Sequence, residues 1–182
     1  MKNIFKKWGL ALLLTLGACN LDGDLVNPNE VSVSGADVDL LMNAVQLNFA
    51  DFFSAASGTV DPLVRMRAMT GGYRYQTAYI PVRMDSLWAS AYQGVLINIK
   101  TLRPLAAEKG LTTHVAVCNI LEAYTWMTLV DLFGDVPAVE ALQGPDGNFN
   151  PATTPGADIY AVSLDLLAKD RKSTRLNSSH RT

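Results

Sequence analysis

The feature that most constrains the fold is a long apolar segment, residues 112–137, that stops abruptly at the sequence Phe-Gly-Asp-Val-Pro. Thr112 or Thr113 can cap its start, because a hydroxyl accepts hydrogen bonds from the unpaired amides of a first helical turn. Gly134 and Pro137 are typical of the end of a helix. The sequence therefore predicts one helix over this segment, followed by a corner.

Apolar side chains surround this helix almost completely. Four polar residues interrupt them without forming one polar face: Asn119, Glu122, Thr125 and Asp131. A helix that is apolar nearly all round belongs in a protein core. The same polar residues make it a poor membrane span, which needs about 20 nearly uncharged apolar residues.

The N-terminus has the order of a secretory signal peptide, over residues 1–18. Three lysines precede an apolar run, and small residues precede Cys19. The sequence Leu16-Gly17-Ala18-Cys19 resembles the bacterial lipobox, whose cysteine becomes the lipidated first residue of the mature chain. The alternative is an ordinary signal peptide with Cys19 as a bystander. We expect a lipidated tether over residues 19–35.

The C-terminal residues 170–182 have a different character. The run from Asp170 to His180 corresponds, in frame, to the translation of a common sequencing-library adapter. We interpret residues 170–182 as non-native and residues 36–169 as the N-terminal part of a larger helical domain. The alternative is a natural basic tail with affinity for phosphate.

Charge argues against a nucleic-acid partner. Leaving out both ends removes seven of the 15 basic residues and one of the 17 acidic residues, so the net charge is −8. Binding to a phosphate backbone needs clustered lysine and arginine. Of the two cysteines, Cys118 lies inside the apolar helix, so neither a disulfide nor a zinc site is expected.

The other helices follow from apolar spacing. Ser34 with Asp37 predicts a capped helix that reaches Ala56. Its predicted inner face is Leu41, Val45, Asn48 and Phe52, widened by Leu40, Ala44, Leu47 and Phe53. A second, weaker helix is expected from Val60 to Met69.

The third helix is expected to begin at Asp85 or Ser86. It carries Trp88, Tyr92, Val95, Ile99 and Leu102 and stops at Pro104 and Gly110. The short connection to the apolar helix predicts an antiparallel αα-hairpin. A last helix begins near Thr154-Pro155 with Ile159, Val162, Leu166 and Leu167 inward. Paired helices of this size suggest tetratricopeptide-like stacking.

Candidate binding residues are few. Tyr73, Tyr75 and Tyr79 either pack between helices or offer ring faces to sugars. Asp135 could act as a ligand or base, but such a residue at a helix end usually shapes the turn through local amides.

The residues indicate no catalytic, metal or cofactor site. Asp146, Asn148 and Asn150 begin a calcium-loop pattern that fails at Pro151 and Ala157, which favours a solvated loop. His114 has no evident carboxylate partner. Asp131 and Asp135 could be suggested as a glycosidase pair, although acids at a helix end are common.

Several of these motifs, in this order, resemble the SusD/RagB family of surface lipoproteins from Gram-negative bacteria. The motifs are the lipobox with Asp22 and Asp24, Asn27-Pro28-Asn29, Trp88 with Tyr92 and Asn98, Phe133-Gly134-Asp135-Val136-Pro137 with Glu140, and Ile159-Tyr160 with Leu164. The most specific is the Phe-Gly-Asp-Val-Pro corner.

The resemblance implies an all-α, tetratricopeptide-like protein held on the outer membrane by lipid. It implies capture of glycans or peptides and delivery to a SusC-like TonB-dependent transporter, without catalysis. Two other classes remain open: a lipid-anchored hydrolase and a helical-repeat scaffold for proteins.

Overall fold

Five α-helices and one π-helical segment make up the described part of the chain. The computed structural model describes residues 36–69, 80–144 and 147–179, with side chains except at 81–83 and 170–179. These residues belong to the second of two contact units, Ala36–Thr182. Cys19, Tyr73, Tyr75, Tyr79 and Asp146 lie outside the described residues, and so does Ser34.

Helix α1, Val38–Leu63, is longer than predicted. The carboxylate of Asp37 caps it, accepting from the Asp39 amide at 2.9 Å, so the cap expected at Ser34 is wrong. The helix also continues through Pro62, whose missing N–H would leave the Gly58 carbonyl without its helical donor. Arg67 Nη2 donates to that carbonyl at 2.9 Å, which explains why the helix does not stop there.

One side of α1 packs into the core. Val45 and Phe52 are fully buried and Leu41 is half-buried, as predicted. The predicted widening of this face is wrong at Leu40 and Leu47, which are 66% and 69% exposed, whereas Ala44 is half-buried. These two leucines lie on the opposite side of the helix from Val45, since each residue turns the helix by about 100°.

Helix α2, Pro81–Ala89, continues through a π-helical segment, Ser90–Leu96, into α3, Ile97–Glu108. The cap is Ile80 with a proline in the first turn, so the predicted start at Asp85 or Ser86 is wrong. The amide of Ile97 donates to the Tyr92 carbonyl five residues earlier, which is the bond of a π-turn.

The predicted inward positions along α2, the π-helical segment and α3 are confirmed in part. Val95, Ile99 and Leu102 are buried. Pro104 lies inside α3 and does not end it, so that predicted stop is wrong. The helix ends at Glu108, and Gly110 follows with φ +68°, a backbone conformation that suits glycine.

Helix α4, Thr112–Phe133, confirms the long apolar helix and its end. Gly134 follows with φ +77°. Its N-cap is Leu111 with no side-chain hydrogen bond, so the predicted threonine cap is wrong. The α3–α4 hairpin is antiparallel, because Arg103 pairs with Glu122 on the facing helix while Tyr92 lies 5.7 Å from Trp126.

Burial around α4 does not follow polarity. Asn119 and Thr125 are buried, whereas Ile120 and Tyr124 are 47% and 43% exposed. Thr125 is accommodated because its hydroxyl donates to the Leu121 carbonyl at 2.7 Å. The helix is long and apolar enough to cross a membrane, and 33% of its most apolar stretch is buried in this fold.

Helix α5, Gly156–Ser179, packs along α4. Ile159 is buried as predicted, and Leu166 and Leu167 are half-buried. Val162 is 58% exposed, so its predicted inward position is wrong. Ser163 is fully buried instead, and its hydroxyl donates to the Ile159 carbonyl at 2.8 Å.

The prediction of an all-α fold is confirmed. Within the described residues the only β-type contact is the bridge between Val136 and Thr154. The core draws on every helix, and its largest fully buried side chains are Phe52, Leu87, Ile99, Leu102 and Leu129.

Candidate functional site

The corner that ends α4 connects three distant parts of the chain. Gly134 turns the chain away from the helix, and Asp135 Oδ1 accepts a hydrogen bond from the Gly156 amide at 2.9 Å. Asp135 therefore satisfies an unpaired donor of the first turn of α5. Its partner lies 21 residues away rather than in the local turn that we expected.

The chain after the corner is held by Thr154. The Thr154 amide donates to the Val136 carbonyl at 2.9 Å. The Thr154 hydroxyl accepts from the amides of Ala138 and Val139, at 3.4 and 3.2 Å. These bonds fix the segment that follows the corner against the residues that precede α5.

An aromatic cluster supports the corner from the π-helical segment. The Tyr92 hydroxyl donates to the Pro137 carbonyl at 2.7 Å, and burial raises the pKa of Tyr92. Trp88 lies 4.8 Å from Tyr92 and 5.1 Å from Phe133, measured between ring centroids. Phe133, Gly134, Asp135 and Pro137 thus meet the rest of the fold through packing and backbone contacts.

The two acids suggested as a glycosidase pair both have protein partners. Asp135 accepts a hydrogen bond from the Gly156 amide at the start of α5, and Asp131 accepts one from the Tyr160 hydroxyl. That hydrogen bond raises the pKa of Tyr160. The geometry therefore gives each acid a role in holding α5 against α4.

A cavity lies beside the corner, between the α3–α4 hairpin and the segment that follows Pro137. Its volume is about 240 Å³ and it is partly open. We call it the corner cavity; it is lined by Leu96, Lys100, Arg103, Glu122, Trp126, Ala138, Val139, Ala141, Leu142 and Gln143.

Charged groups form one wall of the corner cavity. Arg103 Nη1 pairs with Glu122 Oε2, and Trp126 Nε1 donates to the other carboxylate oxygen at 3.4 Å. Lys100 Nζ donates to the Leu142 carbonyl at 2.5 Å, which ties α3 to the opposite wall. The wall thus offers positive, negative and aromatic groups in one place.

A loop beside the cavity is organised by Glu140. Its Oε2 accepts from the Ala152 amide at 2.9 Å and from Asn148 Nδ2 at 3.3 Å. Both hydrogen bonds hold the pKa of Glu140 below its ordinary value, and the bond from the Ala152 amide has the larger effect. Between these two contacts lies Phe149, whose side chain is 85% exposed.

Two residues of the calcium-like pattern, Asn148 and Asn150, lie within the described part. Asn148 Oδ1 accepts from the Asn150 amide at 3.3 Å, a local turn contact. No group of three or more His, Cys, Asp or Glu side chains there is arranged to hold a metal ion.

His114 has a carboxylate partner, so the expectation of none is wrong. His114 Nε2 lies 2.9 Å from Asp39 Oδ1, across 75 residues of sequence. The pair joins the first turns of α4 and α1. Sequence spacing could not reveal it, because the two helices meet only in the folded state.

Sequence reasoning also missed the corner cavity. Lys100, Arg103 and Glu122 carried no motif, and Phe149 lay in a stretch that we interpreted as a solvated loop. One feature of the sequence could have indicated the cavity. Arg103 and Glu122 are charged residues of opposite sign in the two helices of a largely apolar hairpin.

Comparison with known proteins identifies one family. A family model described as SusD-like, starch-binding and associating with the outer membrane, matches residues 28–179. No curated protein and no solved structure matches the chain.

Proposed function

The chain belongs to this SusD-like family, and from that premise we propose that it captures glycans at the outer membrane and passes them to a SusC-like TonB-dependent transporter. In this proposal the protein binds and orients its ligand, while no covalent bond is made or broken. The family match supports starch or a related glucan as the first ligand to test.

The observation that carries glycan binding is the mixed wall of the corner cavity. Sugar hydroxyls both donate and accept hydrogen bonds, so their sites need both kinds of group. The Arg103–Glu122 pair supplies donors and acceptors, and Trp126 adds an aromatic surface beside them. Small-molecule sites typically combine apolar walls with a few placed polar groups.

The direct test is a native gel containing soluble starch, run with the full chain purified from membranes in mild detergent. We expect retarded migration in the starch gel and no change in a gel without polysaccharide. Normal migration in starch and other glucans would refute the proposed ligand class. Retention of a peptide mixture instead would identify peptides as the cargo.

The same preparation tests the absence of catalysis. Incubation with starch should release no new reducing ends. A time-dependent release that persists after further purification would refute the binding role and favour the lipid-anchored hydrolase.

Membrane attachment is proposed to depend on Cys19. A single acyl chain binds membranes weakly, whereas several chains give stable anchoring. Cys19→Ser should therefore move the protein from the membrane fraction to the soluble fraction, with the wild-type chain as control. A variant that stays in the membrane fraction would refute lipidation at this residue.

Delivery to a transporter is the last part of the proposal. The protein should co-purify with a SusC-like TonB-dependent transporter from the same bacterium when both are expressed together. Purification without that transporter, under conditions that preserve glycan binding, would favour a stand-alone binding protein or a scaffold.

A further inference from the structure

We propose that the corner cavity and Phe149 together form one glycan subsite, in which the cavity holds a single sugar ring and Phe149 stacks on the next. This inference rests on the proposed function, since it names the place and the chemistry of glycan binding.

Phe149 is placed beside the cavity by backbone contacts. The Asn148 amide donates to the carbonyl of Gln143, a lining residue, at 3.2 Å. The Gly147 amide donates to the Gly144 carbonyl at 2.9 Å, and the Phe149 ring lies against Gly144. The ring therefore lies next to Gly144, the residue that follows Gln143 in the chain.

The exposure of Phe149 is the second argument. At 85% exposed, this ring contributes almost nothing to the core, although burying a phenylalanine would stabilise the fold. The loop that carries it is nevertheless held by the Glu140 carboxylate on both sides, at Asn148 and Ala152. An aromatic ring held outside the core is suited to contact a ligand face.

Cavity size limits the ligand to one ring. At about 240 Å³, the cavity falls below the range of about 300–1,000 Å³ that encloses a drug-sized ligand. A longer glycan must therefore continue out of the opening. Gln143 lies in the cavity wall and the Phe149 ring lies against the next residue, Gly144, so we place the outgoing chain over the exposed ring.

The charged side chains of the wall offer both donors and acceptors. The guanidinium of Arg103 and the carboxylate of Glu122 neutralise each other while keeping further hydrogen-bonding positions. Lys100 donates one of its three N–H bonds to Leu142, which leaves two for sugar hydroxyls.

The protein contains a matched control for this subsite. Phe53 is also exposed, at 47%, but its ring lies 6.1 Å from Tyr124 and lines neither the corner cavity nor its loop. Phe53→Ala removes the same side chain from another surface.

The experiment is titration of the full chain with maltohexaose, followed by calorimetry. Phe149→Ala should bind about tenfold more weakly, a change of about 1.4 kcal/mol, since a few central contacts carry most of the binding energy. Phe149→Trp should retain binding, and Phe53→Ala should bind as wild type. The melting temperature of Phe149→Ala should agree with that of wild type, because this ring is 85% exposed.

The outcomes separate the inference from the proposed function. If wild type binds and Phe149→Ala binds equally well, the subsite is refuted while glycan capture stands. Equal losses in Phe149→Ala and Phe53→Ala also refute the subsite. If wild type binds no glycan, the proposed function fails first.

A second variant tests the cavity wall. Lys100→Met keeps the aliphatic stem and removes the ammonium group, and we expect binding to weaken about threefold to tenfold. Unchanged affinity would exclude Lys100 from the subsite.

Discussion

Gly156 allows α5 to approach the corner, and its replacement by alanine should weaken the fold. A Cβ atom at this position would lie 2.8 Å from Val130 Cγ1 and 3.4 Å from the Gly134 carbonyl oxygen. Val130 is β-branched and has one strongly preferred rotamer in a helix, so its methyl group cannot move aside cheaply. The contact at Gly134 is a backbone carbonyl oxygen, which is harder to displace than a side chain.

Two opposing effects set the magnitude. Replacing glycine by alanine inside a helix gains about 0.5–1 kcal/mol, and less in the first turn. Overpacking a contact costs about 1–3 kcal/mol. A shift of α5 would also lengthen the bond from Asp135 to the Gly156 amide, which is worth about 0.5–1.5 kcal/mol. The cost of overpacking and of the weakened hydrogen bond exceeds the gain in helix propensity, so we expect Gly156→Ala to destabilise the fold by about 1–2 kcal/mol.

Urea denaturation followed by circular dichroism measures this difference, and the melting temperature should fall by about 2–8 °C. Gly58→Ala in α1 is the matched control. Its Cβ would meet only the flexible Arg67 side chain, at 3.6 Å, so we expect neutral or slightly increased stability.

A double-mutant cycle tests the cause. In a Val130→Ala background the Cγ1 atom is gone, so Gly156→Ala should cost about 1 kcal/mol less than in wild type. An undiminished cost in that background would refute the steric explanation. So would a Gly156→Ala protein at least as stable as wild type.

Three further predictions concern the corner and its loop. Tyr92→Phe removes the bond to Pro137 and should cost about 0.5–1.5 kcal/mol in urea unfolding. Asp135→Ala removes the cap of α5 and should cost about 0.5–2 kcal/mol by the same assay. The folded pKa of Glu140 lies below its ordinary 4.5, so its contribution is present above that pH and is lost as the pH falls through the folded pKa. The protection factor of the Ala152 amide, measured by NMR hydrogen exchange, should therefore fall in acid, and Glu140→Gln should remove that step.

Helix ends set by glycine were predictable from the sequence. Gly110 and Gly134 both adopt positive φ, a conformation that other residues rarely take. The α3–α4 hairpin follows from them, because the connection between its helices is short. The antiparallel pairing then needed no further information.

The length of α1 was not predictable in the same way. Gly58 and Pro62 are locally unfavourable in a helix, yet Arg67 supplies the missing donor from beyond the helix end. The predicted caps failed for different reasons. The Asp37 carboxylate caps α1 one turn after Ser34 through its own local amides. Helix α4 begins after Leu111 with no side-chain cap at all.

The candidate site depended even more on long-range contacts. Lys100 meets Leu142 across 42 residues, and Asp135 meets Gly156 across 21. Neither pair has a sequence spacing that implies contact. The corner motif therefore indicated where the chain turns, but not what the turn encloses.

The π-helical segment gives the continuous helix from Pro81 to Glu108 a place that can lose one residue. A π-turn accommodates one residue more than an α-turn, so deleting Gln93, which is exposed, should convert the segment to ordinary α-helix. The flanking helices would then keep their faces, so Leu87, now 1% exposed, should stay in the core and Trp88 should stay against Phe133. A deletion within α3 has no extra residue to remove, and it would rotate everything upstream by about 100°. Deletion of Gln93 should therefore be far less damaging than deletion of a residue in α3.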